Sequence, residues 1–187
     1  MRPVTVGLAD KIRKNTFQIY QKSGHKKITL RHIAQVCSCS PVPVYGAFGT
    51  YDEMLHYCLK SSVDEVISKA EDEHSHSLLL DFDLALLKCV ATNKGFKEEF
   101  TLKASKVILE KELSCGCEKL LNAHKIELTK KMKFEVNQNT KFIYNFVSLL
   151  HPGFLEKDNS HIFENVIINL HKHTLNLDDK HKISVEF

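Results

Sequence analysis

Between Ile28 and Leu55 the chain reads ITLRHIAQVCSCSPVPVYGAFGTYDEML, and three helix starts follow one another in it with almost no room between them. Thr29 can cap a short helix in which Leu30, Ile33, Ala34 and Cys37 recur at i, i+3, i+4 and i+7, one face of a helix. Ser40 follows after only Ser38 and Cys39, and Pro41 stands next at a first helical position, where a missing N–H has no partner to lose. Thr50 and Glu53 make a T-x-x-E capping box that opens a third helix at about Tyr51. Two short helices joined by a tight turn have the shape of a helix-turn-helix, whose second helix enters the DNA major groove.

The surrounding residues extend that pattern. From about Val6 to Ser23, Leu8, Ile12, Thr16, Ile19 and Tyr20 line one face of a helix that Gly24 ends. Charge is divided unevenly. Through Lys60 nine basic residues stand against three acidic ones, a net of +6, whereas the remainder of the chain carries a net of −3. A basic head on an acidic body is the footprint of a nucleic-acid module joined to a part with another task.

The stretch resembles the DNA-binding domain of the TetR family of bacterial repressors, whose pattern runs roughly T-x-R-x-I-A-x-x-A-G-V-S-x-x-T-L-Y-x-H-F-x-S-K-E-E-L. Thr29, Arg31, Ile33, Ala34, Ser40, Tyr45, Phe48 and Glu53 match it, with Cys37, Cys39, Val44, Thr50, Asp52 and Met54 as conservative replacements. Upstream, Ile12, Ile19, Tyr20 and Gly24 match the family's first helix and its terminating glycine. The match covers about the first third of the chain without a gap. It implies an all-α fold: a helix-turn-helix domain over 1–50, a connecting helix over 51–70, and a ligand-binding and dimerisation domain over 71–187. The polar stretch from Glu71 to Ser77 marks the boundary before the last of these.

The chain also departs from the pattern. Ser38 stands at the turn glycine, Pro43 at the threonine of the recognition helix, Ala47 at its histidine and Tyr51 at the following lysine. With Val44 and Phe48 turned inward, the outward residues are Pro41, Val42, Pro43, Tyr45, Gly46 and Ala47, after Ser40 at the cap. Only Tyr45 among those six has a side chain that hydrogen-bonds, so thymine methyls and groove shape are the expected signals rather than donor–acceptor patterns. Tyr45 and Thr29 are the expected phosphate contacts, with Arg31, Lys26 and Lys27 supplying charge.

The rest of the chain predicts helices at Leu78 to Asn93, broken at Gly95, then Phe96 to Leu113, a turn at Cys115-Gly116-Cys117, and Glu118 to Val136. Two apolar helices follow, Thr140 to Leu150 and Ser160 to Leu175. A helix apolar on most of its circumference must be covered on all sides. The family resemblance implies a homodimer through these last two helices, with Phe142, Phe146, Phe163, Val166, Ile167 and Leu170 at the interface. It also implies an effector pocket in the body, for which Phe82, Leu86, Phe96, Phe100, Phe134, Phe142 and Tyr144 are the candidates.

Other chemistry is thin. No apolar run reaches membrane-span length and no signal-peptide core opens the chain, which predicts a cytoplasmic protein with reduced thiols. His74 and His76, like His171 and His173, sit two apart and lack the i, i+4 spacing of a helical chelate, so no metal and no cofactor are expected. No Ser/His/Asp or paired-carboxylate arrangement suggests an enzyme. The expectation is a repressor released from a palindromic double-stranded DNA operator by a small-molecule or peptide effector. The alternatives are a helical protein-interaction module whose DNA reading has decayed, or a redox-responsive regulator using the cysteine pairs Cys37/Cys39 and Cys115/Cys117.

Overall fold

A computed structural model describes residues 7–72, 77–149 and 165–169, and all their regular structure is helical. The order is α1 (Leu8–Ser23), α2 (Leu30–Cys37), α3 (Pro41–Phe48), α4 (Tyr51–Asp72), α5 (Leu78–Thr92), α6 (Lys94–Thr101), α7 (Lys106–Ala123) and α8 (Lys130–Leu149), with residues 165–169 helical as well. Short 3-10 turns at His25–Lys27 and Lys103–Ser105 precede α2 and α7.

The first four helices form where their caps say they should. Gly24 ends α1 at φ 71°, ψ −168°, a conformation essentially closed to residues with a Cβ. The Thr29 hydroxyl accepts the His32 N–H at 3.2 Å, satisfying one of the unpaired donors at the start of α2. At α4 the capping box is reciprocal: Thr50 Oγ1 accepts the Glu53 N–H at 3.1 Å, and Glu53 Oε2 accepts the Thr50 N–H at 2.7 Å.

Ile12, Tyr20, Ile28, Ile33, Val44, Met54 and Cys58 are buried together, closing α1–α3 over the start of α4. The same core continues without interruption through Val63, Val66, Phe82, Leu86, Phe96, Leu113, Leu120, Val136 and Ile143. The bridge between the two parts is α6, packed along α1. Gly95 lies beneath the Tyr20 ring so closely that a Cβ there would stand 2.5 Å from Tyr20 Cδ2. A second tie runs from α1 to α4, where Gln21 Nε2 donates to Glu65 Oε2 at 2.7 Å.

Five boundaries in the body differ from the sequence expectation, one of them the start of a separate helix at Thr140, which lies inside α8. The break after α5 falls at Asn93, whose side chain accepts the Phe96 N–H at 2.9 Å and caps α6; Gly95 is inside that helix. The predicted helix from Phe96 to Leu113 is divided at Leu102, whose extended backbone (φ −90°, ψ 111°) separates α6 from the turn before α7. Cys115-Gly116-Cys117 is helical, in the middle of α7. Gly116 is there for helix contact, since a Cβ would meet Val63 Cγ1 of α4 at 2.5 Å. The expected helix from Glu118 to Val136 stops at Ala123, Lys125 turns the chain at φ 59°, and α8 starts where Thr129 Oγ1 accepts the Met132 N–H at 3.2 Å.

Candidate nucleic-acid interface

The turn between α2 and α3 is made by Ser38 in the left-handed region (φ 56°, ψ 43°), with the Ser38 N–H donating to Gln35 O and the Cys39 N–H donating back to Ala34 O at 2.9 Å. This arrangement satisfies carbonyls at the end of α2 and redirects the chain within two residues. Ser40 then takes an extended conformation before α3, although its hydroxyl makes no cap bond. Pro41 and Pro43 lie in the first turn of α3, where the N–H groups they lack would have had no helical partner.

Packing decides which face of α3 points outward. Val44 is fully buried, and Phe48 packs on Tyr57 of α4 with ring centroids 5.4 Å apart. The opposite face presents Pro41, Val42 at 74% exposure, Tyr45 at 53% and Gly46, with Pro43 and Ala47 half-buried at its margin. Ser40, Thr29, Arg31, Lys26 and Lys27 are all exposed. Thr29 has a structural task, because its hydroxyl caps α2.

Two further cations support the arrangement and carry no signal in helix-turn-helix spacing. Lys11 Nζ donates to Cys37 O at 3.3 Å, and Arg13 Nη2 donates to Ala47 O at 3.3 Å. Each places positive charge at the C-terminal carbonyls of α2 or α3, where the helix dipole is negative. Both come from the outer side of α1, so only the fold reveals what they touch. The sequence does record the electrostatic consequence: between Asp10 and Asp52 there is no carboxylate side chain, and seven lysines and arginines lie in that interval.

The residues considered for an effector pocket separate into two groups. Phe82, Leu86, Phe96, Phe100 and Tyr144 are buried, with Phe100 set edge-on to Phe96 and stacked on Tyr144, each pair at 5.5 Å. Phe134, at 63% exposure, and Phe142, at 38%, face outward on α8. Phe100 and Tyr144 also border an open cleft of about 570 Å³ that Lys103 and Lys106 line.

Of the interface candidates, Phe142 and Phe146 stack on each other at 6.3 Å, Ile167 is buried and Val166 half-buried; Phe163 and Leu170 lie outside the described residues. So do His74, His76, His171 and His173.

Burial disfavours the thiolate at several of the described cysteines. Burial pushes Cys58 up to about 12 and Cys89 up to about 11, and it raises Cys117 well above its ordinary value. Cys115 is exposed, but it shares a regular helix with Cys117 rather than a pliable turn. Among the described residues no group of three or more His, Cys, Asp or Glu side chains is placed to hold a metal ion. No described helix is long and apolar enough to cross a membrane. No family model matches the chain, and no curated protein matches it.

Proposed function

We propose that the chain is a TetR-like, homodimeric DNA-binding regulator of the cytoplasm, a repressor that leaves a palindromic operator when an effector binds its body. The observation that carries this reading is the outward surface of α3. Val42, Tyr45 and Gly46 are exposed on α3, and Lys26 and Lys27 in the turn before α2 and Arg31 on α2 are exposed as well, in an interval of sequence free of carboxylates. An apolar ridge carried by a basic segment suits a groove lined with thymine methyls and walled by phosphates. The turn at Ser38 and the reciprocal cap at Thr50 hold α3 between α2 and α4 with its ridge outward, as groove entry requires.

The effector would act by favouring a conformer in which the two α3 helices of the dimer are wrongly spaced, which requires tighter binding to that conformer. The stacked pair of exposed Phe142 and half-buried Phe146 on α8 supports association through the body.

The test is binding to duplexes selected from the host's own DNA, compared with random duplex across a salt series. Sites rich in thymine should be selected, and affinity should fall steeply with salt as counterions are released. Val42→Ala should relax preference at one base pair per half-site by roughly 1 kcal/mol, the low end for a specific contact. Absence of any preference over random duplex at every salt concentration would refute the proposal and favour a helical interaction module instead.

A further inference from the structure

A histidine faces two carboxylates at the buried junction between α1–α3 and the rest of the molecule. His25 lies in the turn leading from α1 into α2, and its side chain is 17% exposed against 5% for Glu99. His25 Nε2 stands 2.9 Å from Glu99 Oε1, an ion-pair distance without the alignment of a hydrogen bond. The backbone N–H of the same residue donates to Glu98 Oε2 at 2.8 Å. The imidazole packs on the Tyr20 ring at 5.6 Å, and the Tyr20 hydroxyl donates to Glu99 Oε1 at 3.4 Å. The groups facing this centre are therefore Tyr20 from α1, Glu98 and Glu99 from α6, and Tyr51 and Cys58 from α4, both within reach of the Glu99 charge.

We propose that His25 is a proton-operated latch: protonated, it pins the turn before α2 to Glu99 on α6 and fixes the α2–α3 pair against the body. When neutral, it leaves a buried carboxylate without its counter-charge, and the turn loosens. Removing one partner of a buried pair is costly because the remaining charge is uncompensated. The Glu98 bond to the His25 N–H does not depend on the imidazole charge, so deprotonation frees the turn at one point and release stays local.

The Glu99 carboxylate, helped by the charge of Glu98 and by the Gly95 backbone, holds the His25 proton affinity above its ordinary value, against the opposing effect of burial. A raised folded-state value means that the stabilisation is complete below the ordinary histidine range. It is then lost as pH rises through the folded value. The latch is independent of what α3 touches, so the test contains no DNA.

The full-length protein is titrated by NMR on the His25 ring, and hydrogen exchange of the amides from His25 to Thr29 is compared at about pH 5.5 and 8.5, corrected for base catalysis. His25 should titrate above about 6.5, the ordinary histidine value. These amides should open more often at the higher pH, because closure of the turn raises the proton affinity of His25. His25→Gln should abolish that pH dependence while amides in α5 and α7 keep theirs. Titration at or below the ordinary value, equal opening at both pH values, or a pH dependence surviving in His25→Gln would each overturn the latch. Should His25→Gln not fold, Glu99→Gln decides instead: the ring value must drop, and an unchanged value overturns the proposal.

Discussion

Ser38 occupies the left-handed region with a side chain that disfavours it, at the centre of the turn that aims α3. The strain is of order 1–2 kcal/mol for a residue with a Cβ, less what a glycine would lose by being freer when unfolded. Ser38→Gly should therefore stabilise the protein by roughly 0.5–1 kcal/mol in urea denaturation, and a destabilised variant would mean that the hydroxyl is needed. Glycines elsewhere show how far single residues can be read. Gly24 is legible because it closes an amphipathic run and its positive φ is a backbone requirement. Gly95 and Gly116 look like punctuation in the sequence, but the same residue type also serves close packing, here against Tyr20 and Val63. A glycine in sequence does not say whether it is needed for its φ or for its lack of bulk.

The starts of α2 and α4 are set by caps whose partners lie within three residues, which is why the sequence places them at Thr29 and Thr50, while α3 starts at Pro41, a residue suited to a first helical position. Breaking the best of these gives an element-scale prediction: Thr50→Ala removes the hydroxyl from the reciprocal box and should cost about 1 kcal/mol, measured by thermal or urea unfolding. Its exposed position leaves no cavity to add to that figure. In the body the breaks at Leu102 and Lys125 follow tertiary packing of α6, α7 and α8 against one another, and periodicity alone runs straight through them. The caps at Asn93 and Thr129 belong to the same local chemistry as those in the head, and each stands immediately before a helix. Competing signals hide them, Gly95 in one case and a charged run that mimics continuous helix in the other. Within the candidate interface the outward face of α3 is legible from spacing. The use of Lys11 and Arg13 on helix-end carbonyls is not, because it joins residues 26 and 34 positions apart.

At the scale of the molecule, the proposed association through α8 makes a direct prediction. Light scattering should return twice the 21.4 kDa chain mass at micromolar concentration, and Phe142→Glu should shift it to the single-chain mass. Phe142 is on the surface of the single chain, so monomers of the variant should keep their helical signal. A wild-type protein that stays at 21.4 kDa would rule out the dimer. The joint between α1 and α6 has a consequence of a different kind. Tyr20 is covered from below by Gly95, its hydroxyl is bonded to Glu99, and Glu98 holds the turn that follows. None of those partners belongs to the first four helices. Recombination that grafted this head onto a foreign body would have to bring α6 with it, or expose an aromatic ring and a bare backbone donor where the two had met. The unit of inheritance here is larger than the part that faces outward, and a chimera designed by cutting after α4 would divide it.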